Sequence, residues 1–344
     1  MRDSLSKWHS VTVLILSILV SGSGLNTATA LGAASDPGVA VLVYHDVSPH
    51  AGANPYVITP REFQTQIRLL KSHGYRFLSV DDFHRYLSGA LLLDRRGVLL
   101  TFDDGYEGLY TYAFPILKKE RVPALVFPIM KWFEPYPRPE PHRPHLTREQ
   151  AGVMRESGLV VFGGHSYDGH DPVPTGPEGQ TGPFWTSRGW LAAGRPETED
   201  EYRARLWSDS LLMTYVLREL GVATPVDFAW PGGNRSPQAQ EILALAGYRY
   251  FYTGQPGINY AGQDPGAIMR IDAGRSAPAL IVKLDERFRV RPGRQLTLSR
   301  VPMCGLAPVA HDLPPYQAPQ AAHAGYEAYW QAGGGIIPDH RPAA

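Results

Sequence analysis

Three short segments carry residue types able to do hydrolytic chemistry: Tyr44-His45-Asp46, Asp103-Asp104-Gly105 and His165-Ser166-Tyr167-Asp168-Gly169-His170. Two imidazoles and one carboxylate make a familiar set for a catalytic divalent ion, with positions left over for water and substrate. Such an ion lowers the pKa of bound water to roughly 7 and polarises a carbonyl oxygen. A carboxylate that is not a ligand can then accept the proton of the water. A separate acid must protonate the leaving group, and a histidine suits that task near neutral pH, which nominates His45. Each segment also has a plainer reading. Asp-Asp-Gly is a common turn signature, two histidines five apart can be exposed loop residues, and His45 can be a core histidine.

What separates these readings is where the segments sit. Apolar runs at 39–43, 98–102, 159–162 and 226–230 read as strands, the first two buried. They end respectively in His45-Asp46, Asp103-Asp104, Gly163-Gly164-His165 and Trp230-Pro231. In parallel α/β architectures the sites collect at the C-terminal ends of strands, and four such ends exceed a random scatter. Adjacent residues of an extended segment point to opposite sides, so Asp103 and Asp104 can serve different positions in one site.

Helical patterns lie between these strands. Thr59 as N-cap, Pro60 at the first position and Glu62 at the capping-box position start one helix, with Phe63, Ile67 and Leu70 on one face and Gly74 ending it. A strand over 75–80 and a short helix over 80–87 follow. Further helices are predicted over 109–119, from Thr147 to 157, over 199–220 and over 237–246, with strands over 122–127 and 248–252. Residues 171–195, rich in Gly, Pro and Thr, read as an inserted surface loop. The alternation implies a parallel sheet covered by helices, open or closed into a barrel.

Composition narrows the function classes. The 33 basic residues balance 33 acidic ones, which leaves no electrostatic footprint for nucleic acid and no polybasic membrane patch. At the N-terminus Arg2 and Lys7 precede an apolar run over 11–20, and Ala28-Thr29-Ala30 follows in the arrangement a signal peptidase accepts. The run is about half the roughly 20 residues a spanning helix needs, so residues 1–30 read as a secretory signal rather than a retained anchor. The expected location is exported, periplasmic or extracellular. Cys304 is the single cysteine, so an internal disulfide is excluded, and a buried structural thiol is its default role. The expected organisation is a signal over 1–30, one catalytic domain over 39–300, and a weakly ordered Pro/Ala/Gly-rich segment over 301–344.

Thr101-Phe102-Asp103-Asp104-Gly105 and the His165-x4-His170 pair resemble the motifs of the polysaccharide deacetylase family, carbohydrate esterase family 4. That resemblance implies a distorted (β/α)7 barrel, Asp103 as general base, and Asp104, His165 and His170 as ligands of one divalent metal ion. The set suits zinc, and cobalt, nickel or iron also occupy such sites. A narrower likeness is to the branch that de-N-acetylates poly-β-1,6-N-acetyl-D-glucosamine. Tyr44-His45-Asp46 matches its N-terminal histidine motif, which implies His45 as the acid. Phe228-Ala229-Trp230-Pro231-Gly232-Gly233 matches its apolar-Trp-Pro-Tyr-Gly segment, except that Gly232 stands where the branch has Tyr.

The resemblance implies an N-acetylated polysaccharide as substrate. Trp230, Pro231, Tyr106 and Tyr167 are the expected substrate-binding residues, with Trp185 a further aromatic able to stack on sugar faces. Peptidoglycan and chitin oligomers are the alternative substrates. A carbohydrate-binding protein that has lost catalysis is the alternative class, and it predicts loss of a base, ligand or acid; all five residues are present.

Overall fold

The computed structural model describes residues 36–133 and 143–289. The expected signal, Cys304 and the segment over 301–344 lie outside these residues.

Seven parallel strands form a ring taken in chain order. They are β1 (Val39–Tyr44), β2 (Gly97–Asp104), β3 (Ala124–Pro128), β4 (Val160–Phe162), β5 (Asp227–Ala229), β6 (Tyr250–Tyr252) and β7 (Arg270–Asp272). Continuous ladders join β7 to β1, β1 to β2, β2 to β3, β3 to β4, and β5 to β6. Two joints close the ring, each through an isolated parallel bridge, Gly164 with Phe228 and Tyr252 with Ile268. At the first, Gly164 N–H donates to the Asp227 carbonyl and Ala229 N–H to that of Gly164, both at 2.9 Å. The ring is thus the expected distorted (β/α)7 barrel, and its distortion resides in these two thin joints.

Side-chain alternation sorts the strands into an inner and an outer face. Ala40, Leu42 and Tyr44, Val98, Leu100 and Phe102, and Ala124 and Val126 pack outward in the larger core, with the helices. Val39, Val41, Leu99, Leu125 and Phe127 form a second core inside the barrel with Ala229 and Tyr252. Its lower end is plugged by Val80, Phe83, Tyr86 and Leu87 of the helix Val80–Leu87. The same alternation carries Asp103 to the upper rim of the interior.

The surrounding helices are α1 (Pro60–Ser72), α2 (Val80–Leu87), α3 (Phe114–Glu120), α4 (Arg148–Glu156), α5 (Glu199–Glu219), α6 (Pro237–Leu245) and α7 (Ala277–Arg289). Their starts follow local chemistry. Thr59, Thr147 and Thr198 each complete a capping box with Glu62, Gln150 and Glu201. Phe63, Ile67 and Leu70 of α1 are fully buried, which stabilises the helix by about 1.5–3 kcal/mol per side chain.

The structure departs from the sequence reading in four places. The helix expected over 109–119 opens with a π-turn over Leu109–Ala113 before α3 begins. The strand expected over 75–80 is reduced to Arg76–Phe77, because Ser79 already caps α2. Strand β7 and helix α7 were not anticipated. The inserted loop is folded: Val173–Pro174 pairs with Thr181–Gly182 and Trp190–Leu191 with Arg195–Pro196. A fully buried ion pair fastens it to α5, with Arg205 Nε 2.7 Å from Glu197 Oε1. The Arg205 guanidinium also donates to the carbonyls of Phe184 and Ser187, both at 2.9 Å, so the charge is well compensated.

Candidate active site

Asp103 and Asp104 end β2, and their divergence is larger than strand alternation alone provides. Asp103 stays in the extended strand and faces the barrel interior. Asp104 turns into the left-handed region at φ 67° and Gly105 follows at φ 80°. A Cβ at Gly105 would stand 2.6 Å from Cβ of Pro128, so glycine alone fits this turn. Strain of this kind persists where surrounding contacts over-determine it, and here Ile129 N–H donates to the Asp104 carbonyl at 3.2 Å.

His165 stands three residues past the end of β4, after Gly163-Gly164. Its Nδ1 lies 2.9 Å from the Ala229 carbonyl, which can only accept, so Nδ1 carries the proton and Nε2 is left for other partners. That Nε2 is 3.4 Å from Asp104 Oδ1, and His170 Nε2 is also 3.4 Å from it. One donor atom from each residue lies within 4.8 Å of the other two. A tetrahedral ion with bonds of roughly 2.0–2.1 Å spaces its ligand atoms roughly 3.3–3.4 Å apart, so these donors fit one small divalent ion. Fixing a ligand histidine by bonding its other nitrogen to a carbonyl is also the usual support for such a centre.

The loop between the two histidines is held from three sides. Asp209, buried in the middle of α5, accepts the backbone N–H of Tyr167 at 2.8 Å and of Asp168 at 2.9 Å. Lys131 pairs with Asp168 at 2.6 Å, and Met130 N–H donates to the Ser166 carbonyl at 3.1 Å. Ser166 itself takes φ 89°, which reverses the chain after His165.

Electrostatics give the four site groups different states. Burial would raise the Asp103 carboxyl, but Arg270 outweighs it from 2.7 Å, helped by His165 and His45, and holds the group below the usual carboxylate range. Asp104 is likewise opposed by burial and held well below that range by His165 and His170. His170 is desolvated, yet Asp104 and Asp171 push it up to about 9. An ion bound there displaces this proton. Burial pushes Asp209 up to about 7 against its backbone donors.

These residues line one cavity of about 890 Å³, a size that suits a small-molecule or sugar site. His45, Asp103, Asp104, His165, His170, Tyr106, Trp230 and Pro231 all border it; Tyr167 does not. Tyr167 follows the reversal at Ser166 and packs against the outer core instead. Trp230 reaches the cavity without an open face, since Phe251 stacks on it at 5.8 Å and it is fully buried. Trp185 is equally enclosed, so neither indole offers the sugar platform expected of it. Gly232 takes φ 59°, where any side chain is strained, so the missing tyrosine matches the local backbone.

Several residues of the site were not anticipated. Arg270 is a cation set between Met269 and Ile271 in a short apolar stretch, a pattern that marks a buried charge awaiting a partner. Asp209 stands one turn after Arg205 on the buried face of α5, and polar residues at apolar-face positions were the available signal. Arg143 pairs at the cavity wall with Asp46, a residue the sequence did single out, whose carboxyl is raised by burial.

The sequence model of the family described as polysaccharide deacetylase matches residues 93–251. A poly-β-1,6-N-acetyl-D-glucosamine N-deacetylase of Escherichia coli strain K12 is 29% identical over 236 residues, covering 66% of this chain and 35% of the relative. This chain therefore spans about a third of that protein's length. The structure of IcaB from Ammonifex degensii is similar at TM-score 0.59 and 29% identity, over 74% of this chain and 98% of that one. A de-N-acetylase from Aggregatibacter actinomycetemcomitans shares the fold at TM-score 0.65 and 24% identity, over 72% of this chain and 98% of that one. Together with the seven-stranded ring, these matches show the polysaccharide deacetylase fold, with the family's sequence pattern over residues 93–251.

Proposed function

We propose that this chain is an exported, metal-dependent hydrolase that removes N-acetyl groups from a β-linked N-acetylglucosamine polymer, poly-β-1,6-N-acetyl-D-glucosamine. The observation that carries the reading is the convergence of Asp104, His165 and His170 on one point, beside Asp103 and His45, in one cavity. The polymer rests on the relatives, whose names specify that substrate.

Asp104, His165 and His170 would hold the ion. A divalent ion there supplies Lewis acidity, polarising the acetyl carbonyl and acidifying water. Asp103, kept ionised by Arg270, accepts the proton of the attacking water. His45 donates a proton to the departing amine, so water and the amide become acetate and a free amino sugar. The barrel wall behind Asp103 excludes bulk water, which strengthens each of these interactions.

Asp103→Asn keeps the shape of the side chain and removes the base. The expected result is loss of acetate release from β-1,6-linked oligomers of N-acetylglucosamine, by about 100-fold or more, with bound metal still stoichiometric by elemental analysis. Retained activity in that variant would sink the role of Asp103 and with it this mechanism.

A further inference from the structure

The acid of the proposed reaction has to be aimed at one nitrogen, yet the His45 imidazole forms no hydrogen bond with the described residues. Its direction is therefore inherited from the backbone at the end of β1. What holds that backbone lies on the opposite side of the strand. Tyr44 points outward into the larger core, where His45 points into the cavity. The Tyr44 ring stacks on Phe102 of β2 and meets Phe63 of α1 edge-on, both with centroids at 5.3 Å. Its hydroxyl donates to Gln66 Oε1 at 2.8 Å, one turn further along α1.

Gln66 is fully buried on a helix face it shares with Phe63, Ile67 and Leu70. An amide in such a place costs free energy unless both of its ends are satisfied. The second end reaches a third element: Gln66 Nε2 donates to the Gly274 carbonyl at 3.0 Å, in the turn after β7. A carbonyl can only accept, so the NH2 group must face Gly274 and Oε1 must face Tyr44. Burial, with Asp272 adding, pushes the Tyr44 phenol up, so it stays protonated and donates. The turn is fixed in its own right. Gly274 takes φ 61°, its N–H donates to Asp272 Oδ1 at 3.0 Å, and Ala273 N–H donates to the Val43 carbonyl at 3.2 Å. One side chain thus ties α1 to the ends of both β1 and β7, behind the wall that carries the acid.

We propose that Gln66 is a positioning residue for the reaction, acting through Tyr44 to set the direction of His45. The inference rests on the deacetylase reading, in which His45 protonates the departing amine. That transfer needs hydrogen-bond geometry at the nitrogen, and a misplacement of about 1 Å costs on the order of 100-fold.

The test compares two leaving groups on the full zinc-loaded chain. An amine departs only with a proton, whereas the phenolate of an aryl acetate departs without one. Both reactions use the same ion, base and water, so their ratio reports on the acid. Gln66→Leu, and the milder Tyr44→Phe, are each expected to lower kcat on the β-1,6-linked N-acetylglucosamine tetramer about 10- to 100-fold, with KM and zinc content unchanged. Aryl acetate turnover should stay at the native level. The double variant should lose no more than the worse single one, because both cuts sever one link. In spectra of isotope-labelled histidine, the His45 ring signal, assigned by its absence in His45→Gln, should move in both variants while those of His165 and His170 hold. Equal losses on amide and ester, no loss on either, additive losses in the double variant, or an unmoved His45 signal each overturn the positioning role. A His45 signal that depends on Gln66, in a chain whose native form releases no acetate from the tetramer, leaves the positioning standing and refutes the deacetylase reading alone.

Discussion

At the scale of single residues, the pairing of Asp103 with Arg270 has the most direct consequence. The carboxyl is deep in the barrel wall and would be driven up by burial without its cation. Its depressed pKa means that the base form persists as pH falls through the ordinary carboxylate range and is lost only below it. Arg270→Gln removes the guanidinium and keeps the burial, so the acidic limb of the kcat/KM profile is expected to move to higher pH. A limb that stays in place speaks against Asp103 as the base. The same variant should destabilise the fold by about 3–5 kcal/mol in denaturant titration, because it strands a buried charge. Asp103, Asp104, His45 and His165 stood out in the sequence because each ends an apolar strand or lies within three residues of its end, and His170 because it pairs with His165 five positions earlier. Arg270 was not, because its strand is three residues long and its partner is 167 positions away.

At the scale of elements, α5 was legible as a helix and illegible as a support. Its 21 residues carry buried groups around much of the circumference, including Arg205 and Asp209, so no simple apolar stripe announces which face meets the site. The structure shows why those two polar residues are there: Arg205 clamps the insertion through Glu197, and Asp209 anchors the histidine loop. Asp209→Ala leaves the N–H groups of Tyr167 and Asp168 without their acceptor. The expected outcome is a loss of zinc affinity of about 10- to 100-fold in competition with a chelator, with Asp104, His165 and His170 all intact. Unchanged affinity would mean that the loop is held by Lys131 and the Ser166 carbonyl alone. The insertion was read as a surface loop, and its internal pairing escaped sequence reading for a related reason. Its ladders are two residues long, and Gly and Pro dominate it, so only its tether to α5 makes it a wall.

For the whole molecule, the alternation of strands and helices was enough to expect a parallel barrel, and register shows how it closes. The seven strands fall into two groups joined by thin seams. Strands β7, β1, β2, β3 and β4 form one continuous sheet, and β5 with β6 forms a two-stranded leaf. Gly163-Gly164 lies at the first seam; the sequence marked it as a strand end, but not as the place where a neighbour comes close enough that a Cβ at Gly163 would stand 2.9 Å from the Asp227 carbonyl oxygen. Asp104, His165 and His170 all belong to the continuous sheet or the loops leaving it, so an ion at their centre braces that sheet and not the leaf. The tie between the ligand set and the leaf is the His165 N–H on the Ala229 carbonyl. Amide hydrogen exchange should therefore divide the barrel: zinc slows exchange in β2 and in the loop over 165–170, and leaves β5 and β6 the faster of the two groups. Uniform protection by zinc around the ring would show the seams to be stronger than their two backbone ladder bonds apiece suggest. Thermal opening of the ring is therefore expected to begin at its two seams, which an ion held by Asp104, His165 and His170 would leave unbraced.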